Sequence, residues 1–207
     1  MKNNLFRNIT LAFVTIFSLS SCNVYDDSST GDTSSYSSSS ETKFIEILNE
    51  DNLTIEVGEK VKIETLVSNL SEPITYSCDL TYIANFTLGD SRMVCGYYQG
   101  STVVRVECGG YQDSITINVV PNPEPDFTIS IEQTELTTNK SYAVRSSYQG
   151  DYREYLEVSD HLLLNQFPDP FGNFRIQTFE EEGFVSFFLA AHGEISNSIL
   201  VHINSNF

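Results

Sequence analysis

GSTVVRVECGG, residues 100–110, and GFVSFFLAAHG, residues 183–193, are one plan written twice. In each, a glycine opens a run with apolar residues at every second position. Thr102, Val104, Val106 and Cys108 correspond to Val185, Phe187, Leu189 and Ala191 at a period of 83 residues. Alternation with period two puts one face of an extended strand in a core and leaves the other in water. Gly110 and Gly193 take the same place in the turn that follows, and the closing runs SITINVV and SILVHIN come next. Upstream, Gly58 in IEVGEKVKI matches Asn139 in LTTNKSYAV. Glycine and asparagine best tolerate left-handed backbone, so the exchange is physically coherent.

Outward from these stretches the strand signals continue. Ile55, Val57, Val61 and Ile63 share one parity, against Glu56, Lys60, Lys62 and Glu64 on the other. Ile115, Ile117 and Val119 alternate with Thr116 and Asn118. Turn residues recur at short intervals (Asn49 to Asn52, Gly58, Leu88-Gly89-Asp90, Gly109-Gly110), and no stretch after Cys22 carries a helical period with caps. Short alternating strands broken by regular turns predict an all-β sandwich. Pro121-Asn122-Pro123-Glu124-Pro125 separates the two copies and suits a semi-rigid linker. The expected organisation is a sandwich over 44–120, a linker over 121–126 and a second sandwich over 127–204.

Residues 44–120 resemble a bacterial immunoglobulin-like domain of the group-2 (BIG2-like) type. The resemblance rests on FIEIL, LTIEVGEKVKIETLV, ITYSCD, the pair Met93-Val94, Gly100-x-Thr-x-Val-x-Val and a final ITINVV. Residues 127–204 are similar through LTTNKSYAVRS, YLEVSD, FRIQ and GFVSFFL. The family often places Trp on its third strand, where this chain has Tyr76 and Leu156, and its turn glycine is Asn139 in the second copy. The resemblance implies two tandem immunoglobulin-like β-sandwiches and a role in cell-surface adhesion, wall association or spacing, with no catalytic residue to carry over.

The amino-terminal segment predicts an address. Lys2 and Arg7 precede the apolar run ITLAFVTIFSL over 9–19, and Ser20 and Ser21 lead into Cys22. A basic start, a short apolar stretch and small residues mark a secretory signal. The run is shorter than the roughly 20 apolar residues needed to span a bilayer. Leu19-Ser20-Ser21-Cys22 resembles the lipobox of bacterial lipoproteins. That resemblance implies a signal peptide over 1–21, diacylglycerol on the Cys22 thiol, cleavage between Ser21 and Cys22, and acylation, typically with palmitate, of the new amino group. Two or more acyl chains hold a protein stably on a membrane. Residues 22–43 supply the lipidated cysteine and a Ser-rich tether, too polar to offset its ordering entropy and so expected to be disordered. Twenty such residues would span roughly 25 Å root-mean-square. The expected location is the outer side of the cytoplasmic membrane or an outer membrane, exposed at the surface.

Charge and chemistry narrow the functions. The chain carries 28 acidic and 11 basic residues, a net charge of −17, and loss of 1–21 would take Lys2 and Arg7 with it. So acidic a protein is repelled by nucleic acid and by anionic lipid. His161, His192 and His202 lack metal-ligand spacing, Ser159-Asp160-His161 is adjacency rather than a triad, and Glu180 to Glu182 read as a solvated run before Gly183. No cofactor or metal is expected. Lipidation of Cys22 leaves Cys78, Cys95 and Cys108, an odd number in a compartment that permits disulfides. Cys78–Cys108 is the favoured pairing because both end inward parities, Cys78–Cys95 is the next, and three free thiols remain open. The tyrosine-rich loops Tyr97-Tyr98-Gln99 and Tyr148 to Tyr152 are the candidate binding loops, since tyrosine offers large contact area at low entropic cost. The reading is therefore a noncatalytic, monomeric surface lipoprotein for adhesion or spacing. An accessory subunit binding an envelope protein or glycan, and a small enzyme with a loop-built site, stand as alternatives.

Overall fold

The computed structural model describes residues 42–150, 153–167 and 174–205. The signal segment with Ser21 and Cys22, nearly all of the tether, Tyr152 and the turn Asp169 to Asn173 lie outside the described residues.

The alternating runs form strands where expected. Those of the first copy are β1 (Phe44–Ile47), β2 (Asn52–Glu56), β3 (Lys60–Lys62), β4 (Thr65–Ser68), β5 (Thr75–Cys78), β6 (Ala84–Thr87), β7 (Asp90–Gly96), β8 (Gly100–Cys108) and β9 (Tyr111–Val120). Those of the second are β10 (Ile129–Ile131), β11 (Glu135–Thr137), β12 (Ser141–Ser146), β13 (Tyr155–Val158), β14 (Leu164–Phe167), β15 (Arg175–Thr178), β16 (Gly183–Ala191), β17 (Glu194–Ile195) and β18 (Ile199–Asn204). Among the described residues there is no helix.

Each copy is a sandwich of two sheets. In the first, β2-β9-β8-β5 faces a layer made of β3-β7-β6 and β1-β4. β3 and β4 are one pass of chain. Ile63 N–H continues the ladder to Arg92 O at 2.8 Å, and Leu48 N–H reaches Glu64 O at 2.8 Å. In the second, β11-β18-β16-β13 faces β10-β12-β15-β14, with β17 folded back on β16. The first strand of each copy is divided between the sheets, β1 and β10 joining one and β2 and β11 the other. β2 and β11 run parallel to the last strands β9 and β18, while the other ladders are antiparallel. That order is the immunoglobulin arrangement. The register carries the 83-residue repeat into three dimensions. Tyr76 pairs with Val106, and Leu156 pairs with Leu189, the counterpart of Val106.

The inward parities build two hydrophobic cores. Ile55, Val57, Ile63, Val94, Val104, Val106, Cys108, Ile115, Ile117 and Val119 fill the first; Leu136, Val144, Val158, Leu164, Ile176, Val185, Phe187, Leu189, Val201 and Ile203 fill the second. Thr102 is polar on an inward parity, and its hydroxyl accepts the Leu80 N–H at 2.9 Å. A buried hydroxyl with a partner avoids the desolvation penalty of one without.

The sheet-switching turns explain the Gly58/Asn139 match. Gly58 has φ +84° and Asn139 φ +56°. Left-handed geometry lets β2 leave the ladder with β9 and β3 join β7, as Gly58 N–H bonds Gly96 O at 2.8 Å. In the second copy Asn139 N–H bonds Phe179 O at 3.1 Å, and the buried Thr178 hydroxyl accepts Lys140 N–H at 3.0 Å. Asn139→Gly is expected to leave stability within a few tenths of a kcal/mol, whereas Asn139→Ala costs about 1 kcal/mol, because only alanine pays the full left-handed penalty. Urea denaturation of the two variants measures the difference.

Candidate functional site

β16 departs from the rule that half of a sandwich strand faces water. Val185, Phe187 and Leu189 enter the second core, but Phe188 and Ala190, on the opposite face, are buried against the first. Phe188 is 2 % exposed. The matching surface on the first sandwich is the outer face of β3-β7-β6. There the row Val61–Val94–Phe86 points into the core, and the row Lys60–Cys95–Asn85 points away from it. Cys95 is nonetheless 0 % exposed, since the second sandwich covers that face. The junction is thus sheet face against sheet face.

Its contacts are specific. The Phe188 ring lies 5.9 Å from the Tyr97 ring, and Tyr82 lies 5.7 Å from Phe184. A Cβ on Gly58 would come within 2.7 Å of Ile195 Cδ1 and 3.7 Å of Phe188 Cζ, so the turn that switches sheets is also the seat for these side chains. Polar groups are paired across the joint. Asn85 Nδ2 donates to Ser159 O at 2.7 Å, Ser186 Oγ to Tyr82 O, and Ser198 Oγ to Tyr97 O. Lys60 Nζ meets Glu157 Oε1 at 3.2 Å on the rim. Burial alone would lower the Lys60 pKa, but the Glu157 carboxylate more than offsets it and the net shift is upward. The linker end is pinned too: Asp126 N–H bonds Ile195 O at 3.0 Å, and Ile195 N–H bonds Asp126 Oδ2 at 2.9 Å.

The three thiols of the body are free, which corrects the expected disulfide. Cys78 sits opposite Val104, four residues along β8 from Cys108. At roughly 3.4 Å per residue that is about 13 Å, twice what a disulfide spans. The inward parities of Cys78 and Cys108 were legible, whereas the register between them was not. Cys95 belongs to the other sheet and points away from the core that Cys78 faces, so the Cys78–Cys95 alternative fails as well. Cys108 Sγ donates to Glu72 O at 3.1 Å. Burial, with a smaller contribution from Asp79, pushes the Cys78 thiol up to about 12; burial does the same for Cys95.

The candidate binding loops are placed differently from expectation. Tyr97 is 3 % exposed and belongs to the joint, its phenol pushed up in pKa by burial and by the adjacent Cys95. Tyr98 is half-buried, its N–H on Ile83 O at 3.1 Å. Tyr148 packs on Phe127 at 5.1 Å, against the second core. Tyrosines near a strand end read as available in sequence because nothing local reveals a second sandwich above them. The signal was on the other partner. FVSFFLAA has no polar alternation, the mark of a strand buried on both faces.

The remaining residues of chemical interest are dispersed. Ser159 Oγ accepts Ser186 N–H at 3.1 Å and Asp160 Oδ1 accepts Leu162 N–H at 2.9 Å, so Ser159, Asp160 and His161 do not converge. Glu180, Glu181 and Glu182 are exposed. His202 stacks on Phe184 at 4.3 Å and meets Glu135 at 3.1 Å. Among the described residues no group of three His, Cys, Asp or Glu side chains is placed to hold a metal ion.

No protein-family profile and no curated protein matches the chain. Solved structures to which it is similar include domains 4–9 of the surface-layer protein SbsC, with TM-score 0.35 and 12 % identity over 80 % of this chain and 32 % of that one. Domains 5–6 of SbsC give 0.35 and 12 % over 81 % of this chain and 100 % of that one. EC1–2 of human protocadherin-24 gives 0.33 and 12 % over 80 % and 98 %. The chain spans about a third of the length of the first of these. The strand order itself assigns the fold: two tandem immunoglobulin-like sandwiches.

Phe188→Asp is expected to uncouple the sandwiches without opening the second core, because its side chain points away from that core. Calorimetry should then resolve two unfolding transitions where the parent chain shows one. Alkaline pH should expose the thiols. With both folded values raised from near 9 to about 12, the folded state keeps its protons while the unfolded chain loses them. Their stability contribution is therefore complete below about pH 9 and declines as pH rises toward 12. Urea midpoints across that window should fall, and less steeply in Cys95→Ala.

Proposed function

We propose that this chain is a noncatalytic lipoprotein of the bacterial envelope, anchored through Cys22, whose paired sandwiches act as a rigid spacing or adhesion module. The observation that carries the reading is the joint: a strand buried on both faces makes one body of the two sandwiches, so whatever their surfaces present is held at a fixed geometry. The lipobox-like Leu19-Ser20-Ser21-Cys22 and the polar run after it supply an anchor and a tether for such a body. The resemblance to group-2 bacterial immunoglobulin-like domains supports the same role. A stiff body on a polar leash suits presentation beyond a crowded surface better than it suits turnover, which needs converging acid, base or nucleophile.

The test is direct. The parent chain should fractionate with membranes, and mass spectrometry of its mature amino terminus should find an acylated cysteine at position 22. Cys22→Ala should release the protein or leave it uncleaved. A mature chain that begins elsewhere and stays soluble would sink the anchor reading.

A further inference from the structure

The repeat makes a second surface conspicuous. The row that the second sandwich covers on the first, Lys60–Cys95–Asn85, has its counterpart in Ser141–Gln177–Asn165 on β12, β15 and β14. The neighbouring row on the same face is Ala143–Arg175–Phe167, and one step further along β12 stands Arg145, opposite Ser130. Val144, Ile176 and Leu164 fill the inner face, so these side chains point outward. Asn165, Phe167, Ala143 and Arg145 are exposed, with Phe167 at 37 %.

The charge on this face runs against the rest of the molecule. The chain has 28 acids to 11 bases, and residues 127–204 hold only four bases: Lys140, Arg145, Arg153 and Arg175. Two of the four stand as diagonal neighbours on this one face, a spacing of about 7–8 Å. Among the described residues neither arginine is ion-paired. Arg175 is instead held in place by neutral groups, its Nε on Ser141 Oγ at 2.9 Å and its Nη2 on Ser141 O at 3.1 Å. Glu132, just past the end of β10, is exposed and pairs with neither. Two like charges set side by side, with no counter-ion among the described residues, cost stability, which an anionic ligand would relieve.

We propose that this face binds a carboxylated polysaccharide. The two guanidiniums meet carboxylates in the planar, two-point geometry that arginine favours. Phe167, directly opposite Arg175, offers an apolar ring for a sugar ring to lie on, and Gln177, Asn165 and Ser130 supply neutral partners for hydroxyls. The net negative charge of the chain does not forbid this, because charges more than about 8 Å away are largely screened at physiological salt. A second copy of this chain fits less well. The surface that repeat logic would dock here is the outer face of β8, where the charged Arg105 stands in place of Phe188 and would add a third positive charge beside this face. The inference goes beyond the anchor reading and stands without it.

The experiment uses the detergent-solubilised full chain with polygalacturonate as the probe and dextran and polyglutamate as comparisons. Polygalacturonate should bind and dextran should not. Arg145→Gln with Arg175→Gln should weaken binding at least about tenfold, and Phe167→Ala several-fold, with near-UV dichroism unchanged. Lys62→Gln with Arg92→Gln, an equal loss of charge on the first sandwich, should leave binding as it was. If the double variant does not fold, Arg145→Gln alone carries the test, its side chain being exposed. Absence of polygalacturonate binding, or binding unaltered in the arginine variants, overturns the proposal. So does equal affinity for polyglutamate without dependence on Phe167, which would point to an acidic protein. So does concentration-dependent self-association lost in the arginine variants, which would point to a second copy.

Discussion

Strand β16 has to be dry on both sides, and much of the architecture follows from that. One row of its side chains completes the second core; the next row, led by Phe188, cannot face water without exposing a large aromatic, a loss of roughly 1.5–3 kcal/mol for that side chain alone. The first sandwich satisfies it by turning its β3-β7-β6 face toward the strand. That docking explains several otherwise unrelated facts: a cysteine on an outward parity that is wholly buried, a tyrosine in a strand-end loop that is out of reach of solvent, and a glycine at a turn where a methyl group would strike Ile195. Gly58 carries two demands at once. Its positive φ lets the chain change sheets, and its missing Cβ lets the neighbour approach.

The polar contacts around Phe188 decide how the faces meet rather than how strongly. Asn85 on Ser159 O and Ser186 on Tyr82 O tie outward side chains of one sandwich to backbone of the other. Such bonds add only about 1 kcal/mol each net, but leaving any of them unmade inside a dry joint costs more than making it gains. They therefore favour one angle and one register over its neighbours. The Lys60–Glu157 pair is partly in water and adds little beyond that.

How far the sequence could be read follows from which forces are local. Parity along a strand is local, so the inward residues of β8 and β9 and the repeat of 83 were all legible, down to the left-handed backbone at Gly58 and Asn139. Register between strands that are distant in sequence is not local. Cys78 and Cys108 both face the core as read, yet they sit four positions out of step, and no periodicity reveals that. Docking of one sandwich on another is less local still. Tyr97 and Tyr98 look alike in sequence; only the position of Phe188 in space separates the buried one from the half-buried one. The clue available was the unbroken apolar run Phe187 to Ala191, whose outward half needed an explanation that a lone sandwich does not give.

The same contrast separates the outer faces of the two sandwiches. A face that docks on its predecessor, repeated in every unit, would generate an open-ended stack. Among the described residues the docking face exists once. Phe184, Ser186, Phe188 and Ala190 of β16 correspond to Ser101, Val103, Arg105 and Glu107 of β8, and Arg105 is already engaged by Asp79 at 2.7 Å. The first sandwich thus presents to solvent a strand built for water, charged where its twin is aromatic. At the other end the receiving face of the second sandwich has lost its counterpart of Cys95, which is Gln177, and gained two arginines. The two copies therefore differ on these outer faces while their cores stay alike, as expected where packing constrains the core and an outer face is constrained by what it touches.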